Sequence, residues 1–307
     1  MKIVYLGTPD FAVKPLKTIY ESGLYEIVGV ITNKDKPVGR KQVLTACPVK
    51  EYALSVGLKV FQYDKIRLEG VEDLIALSPD LIITCAFGQI LSQEILDIPK
   101  FGVINIHASL LPKYRGASPI HYAILNGEKQ TGVTIMKTDA GIDTGDIIKK
   151  SEPVEIGEKE TCGELFEKLS NVGANMILDV IKDIEKGNVC FFKQNDNEAT
   201  LTKIIRKTDA FIDFENSNEY IYNQIRAFSP SPIAYCNYLG QPLKIYEAVL
   251  GDGIGLAGEI LDCDKNLEIA CGKGSIIIKS LQKSGGKRMS AQDFLRGVKL
   301  IKGELLK

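Results

Sequence analysis

The segment NIHASLLPKYRGASPI holds the residues best suited to carbonyl chemistry. Asn105 and His107 stand two positions apart, so if residues 103–107 form a strand their side chains point to the same side. An amide and an imidazole on one face can both donate hydrogen bonds to an oxygen that turns negative when a carbonyl is attacked. Residue type alone leaves a second role open, that of a structural hydrogen-bonding histidine at a strand end. The other histidine, His121, falls inside a helix expected to open at Pro119, where a structural role fits it better. A second segment, DAGIDTGDII, offers Asp139, Asp143 and Asp146 among glycines. Such a loop can turn tightly enough to bring a carboxylate up to His107, and it can equally be an ordinary Asx-rich turn between strands.

A thiolate could also accept an acyl group. Of the 7 cysteines, Cys85 alone ends an apolar run near the expected site, where a buried packing role is the better reading. The cysteines are odd in number and contain no Cys-x-x-Cys pair, which argues against a disulfide framework or a zinc site, so no metal is expected. The opening GTPDF lacks the second and third glycines of a dinucleotide fingerprint, which leaves a nucleotide cofactor poorly supported.

These side chains need a scaffold. Short β-branched runs at residues 2–6, 26–32, 59–61, 80–85 and 102–106 alternate with helical stretches, the rhythm of a parallel sheet covered on both faces. The expectation is an α/β, doubly wound, Rossmann-like N-terminal domain. Asn105 and His107 would stand at the carboxyl end of one strand, where such sheets bind ligands. Thr8 with Pro9 and Gly23, and Ser118 with Pro119 and Gly127, read as the starts and stops of two helices. Further strands are expected at 132–137 and 146–153, and a long amphipathic helix at 161–186. From residue 210 onward, short strands separated by NYLGQP, GDGIG and GKGS, with no long helix before about residue 290, predict a smaller C-terminal β-barrel of OB-like type. The expected division is 1–189 for the α/β domain, 190–207 for a polar linker and 208–307 for the barrel, in keeping with a 307-residue chain.

A net charge of -1 excludes a protein that is basic overall, so nucleic acid would have to meet local patches. Two such patches are visible. The loop TNKDKPVGRKQVLTACPVK carries Lys34, Lys36, Arg40, Lys41 and Lys50, and the C-terminal stretch carries Lys279, Lys283, Lys287, Arg288, Arg296, Lys299 and Lys302. The linker adds Lys203, Arg206 and Lys207. Phosphate contacts or a solvated charged face would each use such residues. No run approaches bilayer-spanning length and the N-terminus carries no targeting pattern, so a cytoplasmic protein with no membrane partner is expected. Without sustained heptads a monomer is expected.

The motifs MKIVYLGTPDFAV, CAFGQIL, NIHASLLPKYRGASPI, TGVTIMKTDAGIDTGDI, RAFSPSP and KRMSAQDFL occur in an order that resembles the methionyl-tRNA formyltransferase family from the first residues nearly to the last. The pairing of NIHxSLLPxYRG with GxDTGD is specific to folate-dependent formyltransferases. The resemblance implies that Asn105, His107 and Asp143 take the places of the catalytic trio, and that Ser109, Leu110, Leu111 and Pro112 contact the folate. It also implies that Phe87, Gly88, Gln89, Ile90 and Leu91 wall the pterin pocket. The implied co-substrate is 10-formyltetrahydrofolate, and the implied acceptor is the α-amino group of initiator methionyl-tRNA. The implied tRNA contacts include Arg40, with Lys36, Lys41, Lys203, Arg206, Lys287 and Arg288 expected from the basic patches. Glycinamide ribonucleotide and amino-sugar formyltransferases would keep the same trio, and a formyltetrahydrofolate hydrolase would use water as acceptor. The C-terminal domain and the basic loop favour the tRNA enzymes. An RNA-binding module that had lost catalysis would have no need of the trio.

Overall fold

The computed structural model describes residues 1–39 and 42–306, and the chain separates into two compact units. The first comprises Met1–Pro119, Gln130–Glu155 and Phe166–Lys203; the second comprises Ile120–Lys129, Ile156–Leu165 and the chain from Ile204 onward. Two departures from the expected division stand out. Residues 120–129 and 156–165 group with the second unit, and residues 190–203, expected as linker, fold onto the first. Most side chains of that stretch are exposed, but Gln194, Thr200 and Thr202 hydrogen-bond to the site.

The first unit is built on seven strands: β1 (Lys2–Gly7), β2 (Glu26–Asn33), β3 (Val60–Tyr63), β4 (Leu81–Cys85), β5 (Val103–His107), β6 (Thr134–Lys137) and β7 (Ile147–Lys150). Their order across the sheet is β7-β6-β5-β4-β1-β2-β3. Strands β1 to β5 pair in parallel, and β6 runs antiparallel to both neighbours. The order reverses between β1 and β4, as a doubly wound sheet requires. All five residues of β4 are buried, Thr84 among otherwise apolar side chains, as expected of a parallel strand covered on both faces.

Helix Val13–Ser22 ends at Gly23, whose φ of 62° closes it in the left-handed region. Its start differs from expectation. Pro9 leads into a 3-10 turn at Asp10–Ala12, which makes no side-chain cap bond. The Thr8 hydroxyl instead accepts the Asn33 N–H at 3.3 Å, tying the end of β1 to the end of β2. The long helix Cys162–Glu185 buries Leu169, Ile177, Val180 and Ile181, a stripe at helical spacing.

The second unit carries β8 (Tyr235–Tyr238), β9 (Gln241–Gly251), β10 (Ile260–Asp262), β11 (Leu267–Ala270), β12 (Ser275–Lys283) and β13 (Met289–Ser290). These form one antiparallel sheet in the order β8-β9-β12-β11-β10, with β13 on β12, an OB-like arrangement. The NYLGQP signal is a two-residue hairpin turn, with Leu239 at φ 50° and Gly240 at φ 72° between the paired Tyr238 and Gln241. Register shifts around Glu247 bend the long strand β9.

Helix Asn218–Ala227 was not expected. It lies in the region after residue 210 expected to hold short strands; Ser217 caps it by accepting the Tyr220 N–H at 3.2 Å, and Ile221 and Ile225 are buried one turn apart. The last helix covers Ala291–Gly297. Among the described residues, no helix is long and apolar enough to cross a membrane.

Candidate active site

Strand β5 reads Val-Ile-Asn-Ile-His, and the alternation of a strand sends Asn105 and His107 to one face near its carboxyl end. In the neighbouring strand Thr84 lies in register with Asn105. Its hydroxyl donates to Asn105 Oδ1 at 2.9 Å, so the amide NH2 is turned the other way. Nδ2 then donates to Asp143 Oδ1 at 3.2 Å, and its second hydrogen is left for another acceptor.

His107 is only 5% exposed. Its Nε2 lies 2.9 Å from the Tyr114 carbonyl oxygen, which can only accept, so Nε2 carries a hydrogen. Nδ1 faces Asp143 Oδ2 at 3.5 Å, an ion-pair separation longer than a good hydrogen bond.

Asp143 arrives from the loop between β6 and β7 with φ 52°, a left-handed conformation that aspartate tolerates better than most side chains. Besides the two contacts already given, Oδ2 accepts the Gly116 N–H at 2.8 Å. The other acidic candidates of this loop are placed differently. Asp139 Oδ1 accepts the Gly141 N–H at 3.0 Å and the Thr144 hydroxyl at 2.7 Å, stapling the loop to itself. Asp146 contributes its backbone carbonyl, which accepts the Lys137 N–H at 2.9 Å.

The residues that hold Tyr114 and Gly116 come from the stretch expected as linker. Leu201–Thr202 pairs in parallel with Arg115–Gly116. Thr200 Oγ1 accepts the Tyr114 N–H at 2.8 Å, and the Thr200 carbonyl accepts the Arg115 N–H at 2.9 Å. Gly116 has φ 107°, and a Cβ there would stand 2.5 Å from the Thr202 carbonyl oxygen. Sequence reasoning singled out none of Thr84, Thr200, Thr202 or Gln194. Threonine in a strand and glutamine in a polar run carry no local signal of what they face.

The remaining expected residues divide by burial. Ser109 is fully buried and its hydroxyl donates to the Lys113 carbonyl at 2.6 Å. Thr134 Oγ1 donates to the Ser109 carbonyl at 2.7 Å and accepts the Leu111 N–H at 3.1 Å. Leu111 and Pro112 are buried and Leu110 is half-buried, so the loop has a set shape. Phe87 joins the hydrophobic core, with Leu91 packed against it. Gln89 accepts the Ile66 N–H at 2.8 Å and donates to Asn33 Oδ1 at 2.7 Å. Gly88 turns at φ 77°, and Ile90 is left 67% exposed.

Burial pushes the Cys85 thiol up to about 12, so it is a neutral packing group rather than a nucleophile at ordinary pH. Burial likewise lowers the His121 pKa, and its ring packs 6.4 Å from that of Phe228. Among the described residues no group of His, Cys, Asp and Glu is arranged to hold a metal ion.

Lys36 lies in an antiparallel ribbon of Lys36–Val38 with Val43–Thr45, and Arg40 and Lys41 fall outside the described residues. Lys36, Lys203, Arg206 and Lys287 are exposed. Arg288 stacks on the Tyr246 ring at 4.7 Å and donates from Nε to Ser280 Oγ at 2.7 Å, so its guanidinium is held in place.

Residues 1–181 match the family model described as formyl transferase, and residues 204–299 match that of the formyl transferase C-terminal domain. A Bacillus subtilis protein named methionyl-tRNA formyltransferase is 44% identical over 99% of this chain and 97% of its own length. One of the same name from Macrococcus caseolyticus is 45% identical over 97% of this chain and 96% of its own. Among solved structures, an N-formyltransferase from Helicobacter canadensis in complex with folinic acid and dTDP-3-aminofucose superposes with a TM-score of 0.69. It is 25% identical and covers 92% of this chain and 99% of its own.

Two measurements check the local geometry. Gly116→Ala forces a Cβ against the Thr202 carbonyl at a φ that L side chains rarely adopt, and should lower unfolding free energy by about 1–3 kcal/mol in urea titration. Iodoacetamide at pH 8, followed by mass spectrometry, should label exposed Cys190 while leaving Cys85 unmodified in the folded protein; rapid labelling of Cys85 would contradict its burial.

Proposed function

The chain belongs to the methionyl-tRNA formyltransferase family, and from that premise we propose that it transfers the formyl group of 10-formyltetrahydrofolate to the α-amino group of initiator methionyl-tRNA. The product, formylmethionyl-tRNA, would serve translation initiation. The observation that carries the reading is the meeting of Asn105, His107 and Asp143 at the carboxyl edge of a doubly wound sheet.

The amine lone pair attacks the formyl carbon, and the carbonyl electrons move onto oxygen. Two donors are suited to that oxygen: the second N–H of Asn105, and Nδ1–H of His107, whose 3.5 Å contact with Asp143 is loose enough to be shared. Nε2 is already engaged by Tyr114, which fixes the ring. Asp143 accepts a proton from the attacking amine, directly or through water. When the C–N10 bond breaks, its electron pair stays on N10 and the proton is delivered there. No covalent enzyme intermediate is needed, which accords with the buried, neutral Cys85.

Ser109, Leu110, Leu111 and Pro112 present the donor substrate with a loop of set shape. Phe87, Gly88, Gln89, Ile90 and Leu91 supply an apolar wall, of which exposed Ile90 is the surface in need of cover. For the tRNA we assign phosphate contacts to Lys36, Lys203, Arg206, Lys287 and Arg288, together with Arg40 and Lys41. The protein acts as a monomer in the cytoplasm on this reading.

The deciding assay incubates the protein with 10-formyltetrahydrofolate and, separately, methionyl-tRNA, glycinamide ribonucleotide, an amino-sugar nucleotide or water. Formylmethionyl-tRNA should form fastest; preference for another acceptor would replace this reading. His107→Ala and Asp143→Asn should each lower kcat by about a hundred- to a thousandfold, the usual cost of losing one oxyanion donor or its partner. Near-normal turnover in both would refute the assignment. Binding of the tRNA should weaken steeply as salt rises, in a filter or fluorescence titration.

A further inference from the structure

We propose that Gln194 is a positioning residue for formyl transfer, holding the Asp143 carboxylate in its working place by clamping the backbone on either side of Thr144. The proposal rests on the role given to Asp143 above. Gln194 Nε2 donates to the Asp143 carbonyl at 2.8 Å and to the Gly145 carbonyl at 2.7 Å. Both amide hydrogens are thus spent on one turn of the loop, whose second glycine cannot accept a Cβ because the Lys137 carbonyl lies in the way. Between residues 190 and 198 every side chain is exposed except that of Gln194, which is half-buried. One residue of a polar run is therefore selected to face inward.

Its orientation is determined on the other side by Arg115. Oε1 accepts from Arg115 Nε at 2.9 Å, and Arg115 Nη2 donates to Asp196 Oδ1 at 2.7 Å. A carbonyl pair that only accepts and a guanidinium that only donates leave the amide a single way to sit. The Arg115 side chain is 6% exposed, so its charge is costly without partners, and the carboxylate of Asp196, 82% exposed, supplies one from the solvent side. The series Asp196, Arg115, Gln194 therefore ends on the peptide units of Asp143.

The clamp has something to oppose. Asp143 is held at φ 52°, and a non-glycine residue in that region persists only where its surroundings over-determine it. Its side chain is fixed by Asn105 and Gly116, and its main chain by Gln194. Releasing the main chain lets the carboxylate drift from His107 and Asn105 without removing any group that touches substrate. A displacement of about 1 Å at a reacting group is enough to cost on the order of a hundredfold in rate.

The test is a kinetic cycle on the full chain with 10-formyltetrahydrofolate and methionyl-tRNA. Gln194→Met, similar in length and unable to make the clamp, should lower kcat by about a hundredfold with both KM values unchanged. In the Asp143→Asn background the same substitution should cause no further loss, because groups that act as one unit are not additive. Circular dichroism checks that each variant is folded. Should Gln194→Met not fold, Gln194→Glu keeps the size and the bond from Arg115 but cannot donate to the two carbonyls, and should show the same kcat loss. Wild-type kcat in the folded Gln194 variants beside a crippled Asp143→Asn would sink the clamp alone, as would losses that multiply in the double variant. Wild-type turnover in Asp143→Asn would sink the catalytic reading and the clamp with it.

Discussion

The carboxylate of Asp143 must be held against an amide, an imidazole and a backbone N–H that come from separate stretches of chain. It accepts from Asn105 on β5 and from Gly116 in the turn after it, and it faces His107 on the same strand. A partly buried carboxylate is tolerable only when its lone pairs are met, and a half-satisfied polar network costs more than an apolar one. The surrounding structure follows from that requirement. Thr84 orients the amide, Tyr114 orients the imidazole, and the ladder of Arg115–Gly116 with Leu201–Thr202 carries the backbone donor.

The sheet makes this meeting possible by adjacency. Because β4 lies beside β5 in parallel register, Thr84 stands next to Asn105. β6 runs antiparallel on the other side and ends with Lys137 opposite Ile104, near the amino end of β5, so the loop that follows doubles back along β5 for Asp143 to reach Asn105 and His107. The buried apolar strands below contribute rigidity, so the polar groups above keep their separations without each needing its own scaffold. Tyr114 and Asp143, both in the left-handed region, show where the backbone has been bent to serve the cluster.

The stretch after the long helix changes how the first unit is understood. Residues 192–202 bridge to Ile147, clamp the Asp143 loop and pair with the turn that follows β5. The first unit is therefore not complete where its long helix ends. In that stretch Gln194 and Thr202 turn inward as partners of the site, while the polar side chains around them stay exposed, as the composition of a solvated connection implies.

Much of this was determined locally by the sequence. Side-chain alternation in β5 is a property of the extended backbone, so Asn105 and His107 could only share a face. The βαβ rhythm, the glycine stop at Gly23, the hairpin at Leu239–Gly240 and the buried character of Cys85 were also legible, because each depends on neighbours a few residues away. What tertiary structure alone decided were the pairings across long separations: Thr84 with Asn105, Thr200 with Tyr114, Gln194 with Asp143 and Gly145. It also decided that Thr8 ties two strands rather than capping a helix, and that residues 218–227 form a helix in a region expected to hold short strands. A hydrogen-bonding side chain announces its capacity in the sequence, but its partner is chosen by which distant backbone the fold brings within 3 Å.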